Sequence, residues 1–354
     1  MKLEIAISDH KTYQTGGFLG QSETIKRFAI FLVSMGMIST GYSNDKRPAV
    51  PDSLVQASQR ELQDVLKKQS EWVKVHAAEY LLWAGIGDGV REEFLAEEKQ
   101  FGQQALYRIG IWRVLAQAAP TEPEREKWIS LIQQAFQDTI GPDRIHAAET
   151  LAKLRVPPAS YTAGLTRQAI DSNNPALSLY TRWSAAFYSS DSLSGTRQYF
   201  LDGIGNKKNG AIFRRMGAYI LRHLGALSRS QWTHLAQMAL SELESSDART
   251  YLLSAAFVKA PAEEESSKSF NTVREKLLRA RIAPSKGDRS EMAMALAERG
   301  ELRDLPVLIA LLKNQNPLVF PKDISPEKRQ LDADNADVRA AAAYAILKIQ
   351  ARNK

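Results

Sequence analysis

The sequence predicts an all-α protein: a right-handed α-solenoid of about eight two-helix repeats. Three observations predict it. The tetrapeptide His-Ala-Ala-Glu occurs twice, in VHAAEYL (75–81) and IHAAETL (145–151), 70 residues apart. Halving that gap gives 35, and amphipathic helical stretches with small residues at their middle recur near that interval, centred at 77, 111, 147, 182, 217, 253, 294 and 342. Further helical stretches fall between the centres, such as 53–69, 124–139 and 230–245. Two helices per unit of constant length is the pattern of stacked repeats. The one alternating stretch, LEIAIS at 3–8, lies outside the array.

The elements follow in order. Residues 1–41 read as a leader. Within it, Lys26-Arg27 precede an apolar run from Phe28 to Ile38, with Ser39 and Gly41 after it, which is the layout of a secretory signal peptide. The run is too short for a membrane span, so no transmembrane anchor is expected. A periplasmic or secreted location follows, with a cytoplasmic one as the alternative, in which 28–38 is a structural helix. Residues 42–52 read as linker from their Pro, Asp, Asn and Ser content. The array runs from 53 to 350, with longer loops expected at 261–290 and 314–335. The second of these holds Leu318, Val319 and Phe320 between prolines. The Gly-rich stretches GIGDG (85–89) and DGIGNKKNG (202–210) fall between helices and read as helix ends and turns.

Composition narrows the chemistry. The chain has 354 residues, 44% of them hydrophobic and 25% charged, so a folded core is expected. It has no cysteine, which excludes disulfides, thiolate metal sites, a cysteine nucleophile and a lipoprotein anchor. The net charge of +7 is spread thinly, with only Lys207-Lys208 and Arg214-Arg215 as local pairs. No nucleophile elbow, phosphate loop or dinucleotide glycine motif is present.

The segment NADVRAAAAYAILKI (335–349) resembles the second helix of a short HEAT repeat of the PBS-lyase type, with its Asp, Val-Arg and Ala pair. WVKVHAAEYLLWAG (72–85) is similar, with Lys74 at the Arg position, Ala77 and Ala78 as the pair, and Gly85 ending the helix. GPDRIHAAETLAKL (141–154) is similar again through Asp143 and Arg144. The four units between 174 and 300 match in spacing and amphipathicity only. The resemblance implies a HEAT-like array; some chains of this class are bilin lyases, so an enzyme or enzyme-accessory role is the alternative it implies.

His76 and Glu79 stand three residues apart on one side of a helix, as do His146 and Glu149. The simpler reading makes them polar bridges between units. The functional reading makes them metal ligands or acid–base groups. HEAT-type deoxyhypusine hydroxylases hold two irons with adjacent His-Glu pairs in four repeats; here two alanines separate each pair, and only two repeats carry one. Stacking distances put the two pairs roughly 20 Å apart, too far to share a metal. No metal or cofactor is therefore expected.

Arginine and aromatic residues cluster at Tyr107, Arg108, Trp112 and Arg113, at Tyr180, Arg182 and Trp183, and at Arg214, Arg215, Tyr219, Arg222 and His223. Such mixtures bind anions, peptides or nucleic acid. The alternative is that Trp112 and Trp183 are core between units. The expected function is a non-catalytic scaffold that takes a protein partner on its concave face. The candidate surface is His76, Glu79, Tyr107, Arg108, Arg113, His146, Glu149, Arg182, Arg215, Arg222 and His223. A DNA-binding HEAT-like protein is a further alternative. It requires a positive stripe joining Arg108, Arg182 and Arg215.

Overall fold

The computed structural model describes residues 49–206, 208–315 and 335–354. The chain divides into two units, Met1–Asp45 and Lys46–Lys354. The first lies outside the described residues, as do the leader, the strand-like stretch at 3–8, and Leu318, Val319 and Phe320.

The described part of the second unit is all helical. Its odd-numbered helices are α1 (Asp52–Lys68), α3 (Val90–Phe101), α5 (Glu122–Gln137), α7 (Ala163–Ile170), α9 (Ser190–Gly205), α11 (Arg229–Ser241), α13 (Lys268–Leu278) and α15 (Leu305–Leu312). The even-numbered helices are α2 (Glu71–Trp83), α4 (Tyr107–Ala118), α6 (Arg144–Lys153), α8 (Pro175–Ala185), α10 (Ala211–His223), α12 (Arg249–Val258), α14 (Lys286–Arg299) and α16 (Ala336–Arg352). No described helix is long and apolar enough to cross a membrane.

The two sets differ in burial for a reason visible in their residues. An odd-numbered helix buries one stripe. In α13 it is Phe270, Val273 and Leu277, and in α5 it is Trp128, Ile129, Ile132 and Phe136. That is the i, i+3, i+4, i+7 spacing of a helix with one face in water. The even-numbered helices are buried on several sides, and small residues let neighbours close in: Ala77 and Ala78, Ala147 and Ala148, Ala255 and Ala256, and Ala340 to Ala343 are all buried. Each even helix packs on the even helices before and after it, forming an inner layer.

The array does not end in the open. The last helix, α16, packs on α14 and α15 on one side and on α1 and α2 on the other. Arg339 Nε donates to Glu61 Oε1 at 2.8 Å, and the Tyr80 and Tyr344 rings stack with centroids 5.0 Å apart. Eight helix pairs among the described residues thus close into a two-layer ring. This corrects the open concave groove expected from the repeat. The physical cause is α16 itself, whose residues from Ala340 to Leu347 are all buried. A terminal repeat that faces water needs a polar outer face. This one has none, and it is covered by the first pair instead.

Bonds between units keep the period of the repeat. Trp83 Nε1 donates to Gln117 across 34 residues, Arg229 to Glu264 across 35, and Lys276 to the Leu240 carbonyl across 36. The expected loop at 261–290 is also corrected, because it contains α13. Its charged, serine-rich start hides the three apolar positions that make the buried stripe. In the Gly-rich stretch at 85–89, Gly85 and Gly89 have φ of 73° and 80°, as helix ends and turns require.

Candidate functional site at the ring centre

The inner helices bring most of the singled-out side chains to the middle of the ring. Glu79 on α2 and Arg113 on α4 are 2% and 0% exposed. Arg113 Nη2 donates to Glu79 Oε2 at 2.8 Å, and Gln117 Nε2 donates to Glu79 Oε1 at 2.9 Å. Burial pushes the Glu79 carboxyl up, but Arg113 and Lys153 outweigh it and hold the group below the usual carboxylate range. Arg113 Nε and Nη1 find no acceptor, and the guanidinium carbon stands 5.5 Å from the Trp72 ring.

Trp72 explains a glycine. Its ring reaches across α4 to His146 on α6, with centroids 5.0 Å apart. It passes over Gly110, where an added Cβ would lie 3.1 Å from the indole and 2.8 Å from Val75 Cγ2. His146 Nδ1 stands 3.8 Å from Glu149, too long for a hydrogen bond, and Lys153 Nζ pairs with Glu149 at 2.8 Å. Burial raises the Glu149 carboxyl, but Lys153, His146 and Arg113 together bring it well below the usual range. A chain of alternating charge, Glu79, Arg113, Glu149, Lys153, therefore runs across three inner helices.

The other half of the centre is built on Arg222, at the end of α10. It is 2% exposed and meets Glu291 on α14 at 3.0 Å and also pairs with Glu298. Ser254 Oγ donates to Glu291 Oε1 at 2.6 Å. Beside it, His223 lies flat on Trp183, with centroids 5.2 Å apart, and edge-on to Tyr219 at 5.0 Å. Burial lowers its basicity, and the cations Arg222, Lys153, Lys259 and Arg155 lower it further, so the imidazole is neutral at physiological pH. At the seam of the ring, His76 Nδ1 meets Asp337 Oδ1 at 2.8 Å. Burial raises Asp337, but His76 outweighs it, so the carboxyl stays below its ordinary value.

The two His-Ala-Ala-Glu segments are thus joined through Trp72 and Arg113, where stacking distance alone separates them. They do not form a ligand set. No group of three or more His, Cys, Asp or Glu side chains among the described residues could hold a metal ion.

Comparison with protein-family models, curated proteins and solved structures returns no match to this chain.

The remaining candidates lie apart. Tyr107 is 3% exposed and donates to Glu97 on α3 at 2.6 Å. Arg108 Nε donates to buried Asp143 at 2.6 Å. Arg182 stacks on Tyr199 at 4.2 Å, and Arg215 lies 5.9 Å from the Tyr251 ring. Glu79, Tyr107, Arg113 and Arg222 are structural members of the ring and offer no surface to a partner, which corrects their place on a concave face. Arg108, Arg182 and Arg215 are held by three different neighbours and form no joined stripe. Trp112 and Trp183 are buried between units. Sequence reasoning missed Lys153, Glu291, Glu298 and Asp337. One signal was available: Glu79, Arg113 and Glu149 are spaced 34 and 36 residues apart with alternating sign.

Chemically, the centre is a set of closed pairs. Each central carboxylate has a cation or a hydrogen-bond donor, and the pairing holds Glu79 and Glu149 below the usual carboxylate range. A general acid or base works best with a pKa near the operating pH. An open groove of about 630 Å³, lined by Ser228, Arg229, Ser230, Thr233, His234 and Gln237, lies on the outer helix α11, away from this centre.

Proposed function

We propose that the protein is a non-catalytic binding module that takes a protein partner on one face of the ring. One observation carries the reading. Large aliphatic side chains are exposed at four of the connections that lead from an outer helix into an inner one, Leu106, Ile140, Leu243 and Ile282, and in the first turn of α10 at Ile212, from 40% to 95% exposed. These connections share one face of the ring, because every inner helix runs in the same sense. The connections on the opposite face expose Trp83, Tyr161 and Tyr188 instead. Covering one Leu or Ile removes about 1.5–3 kcal/mol of unfavourable hydration, so several together supply a protein contact.

The test is capture of a partner from the native host by the whole chain. Ile140→Glu with Leu243→Glu is expected to abolish capture, and Tyr161→Glu on the opposite face is expected to leave it intact. Equal capture by all three forms contradicts the reading.

We also propose that the helix pairs are HEAT-like units of the PBS-lyase type, stacked in a right-handed sense. The period near 35 residues supports it, as does Asp143, which begins an inner helix and receives Arg108 from the preceding unit. Export through the leader at 1–41 belongs to the same proposal. Sequencing the mature N-terminus from the native host tests it.

A further inference from the structure

The inner helices all end on the face opposite the aliphatic side chains, and three of them, α6, α10 and α12, carry cations there. Lys153 closes α6 and Arg155 follows it. Arg222 and His223 close α10, and Lys259 caps α12. Trp183 of the intervening α8 stacks on His223, which ties the group together. Arg197 reaches in from α9, its Nη1 3.4 Å from the Leu224 carbonyl. The carboxylates nearby are already taken: Glu149 by Lys153, and Glu291 and Glu298 by Arg222. Among the described residues the Arg155 and Lys259 side chains make no ion pair or hydrogen bond, and the buried atoms His223 Nε2 and Arg197 Nε have no partner.

Arg155 carries a second, independent sign. It sits just past α6 with φ 57°, the left-handed region that favours glycine. The Arg155 N–H donates to the Ala152 carbonyl and the Val156 N–H to the Leu151 carbonyl. The same two bonds end α2, where Gly85 holds the corresponding position with φ 73°. Just past α10, Gly225 also takes a positive φ, 86°. At this one inner-helix end the chain keeps a strained arginine, and strain of this kind gathers at functional sites.

The simpler account is that cations at helix C-termini offset the helix dipoles. The basicities speak against it as the whole account. Burial lowers Lys259, Glu298 opposes it, and Arg222, Arg155 and Arg197 add to it, leaving Lys259 at about 8. His223 is depressed by burial and by Arg222, Lys153, Lys259 and Arg155. Cations that the helix ends fully neutralised would not depress one another.

We infer that Arg155, Arg197, Lys259 and His223 form a binding site for a small phosphate-class oxyanion, free in solution, at the centre of this face. The anion would accept from the guanidinium groups, from the Lys259 ammonium and from His223 Nε2–H. This site is independent of the protein-binding face proposed above.

The test is thermal unfolding of the whole chain titrated with inorganic phosphate against chloride at equal ionic strength, with the His223 imidazole followed by NMR. A saturable rise in the unfolding midpoint with phosphate alone is expected, with a His223 resonance that moves along the same curve. Arg155→Gly and Lys259→Met should each weaken phosphate binding about tenfold, the loss of one charge-assisted contact. Their phosphate-free midpoints should be unchanged or higher, which separates a lost ligand from a damaged fold. The inference is overturned if chloride acts as phosphate does, or if both variants bind phosphate like the parent.

Discussion

Replacing Arg113 by leucine strands a carboxylate at the centre of the ring. Glu79 is 2% exposed and would keep only Gln117 as a direct partner. The attraction lost, for charges near 4 Å at an effective dielectric of 20, is about 4 kcal/mol. Mutations that leave one member of a buried pair alone cost about 3–5 kcal/mol, which agrees. Lys153 still helps to hold Glu79 ionised, so the expected loss is at the lower end, about 3 kcal/mol. Glu79→Leu alone strands Arg113, although Glu149 remains near it. The double replacement removes both charges and should recover most of the loss, because apolar residues of similar volume often substitute well for a buried pair. The assay is urea unfolding of the four forms, read as a double-mutant cycle. A loss under about 1 kcal/mol for Arg113→Leu, or a double variant as unstable as the two singles summed, would refute the claim that this pair is closed and dry.

Other consequences can be measured in the same way. Gly110→Ala puts a Cβ against Val75 and Trp72 and should cost about 1–3 kcal/mol in urea unfolding. Tyr344→Ala removes the stack on Tyr80 across the seam and should cost about 3 kcal/mol, with Asp337→Asn adding a smaller loss. Asp337 lies below its ordinary carboxylate value in the fold, so its contribution is present above the unfolded pKa and is lost as the pH falls. A pH series of wild type against Asp337→Asn should therefore converge in acid. Lys259, at about 8 in the fold against an ordinary 10.5, binds its proton more tightly when unfolded. Stability should rise between those two values, and Lys259→Met should stabilise by about 1–2 kcal/mol below pH 8 and by nothing above the unfolded pKa.

The helix pairs were legible because their period is written twice, once in His-Ala-Ala-Glu and again in the small central residues. What those residues do was less legible. Glu79 and Arg113 look like exposed polar positions on a repeat helix, and only packing between neighbouring inner helices makes them a buried pair. Closure depends on contacts between residues 61 and 339, and between 76 and 337, which no local pattern reports. A clue was present in α16, where an alanine-rich helix without a polar face ends the array. The helix α13 was hidden because a helix with a single buried stripe needs few apolar residues, and its first turn is Lys-Ser-Phe-Asn. The cationic face was hidden because Arg155, Arg222 and Lys259 come from three separate helix ends and Arg197 from the middle of α9.

The measurement that tests the ring most directly is the distance between its two ends in solution. The chain has no cysteine, so Arg60→Cys on α1 and Lys348→Cys on α16 can be spin-labelled without background. A closed ring packs α1 against α16, and pulsed dipolar spectroscopy should give a single narrow distance within about 25 Å, two to three helix spacings. An open array of eight pairs would separate the labels by about 70 Å, at roughly 10 Å per unit, and that result would contradict the closed ring and the buried centre that depends on it.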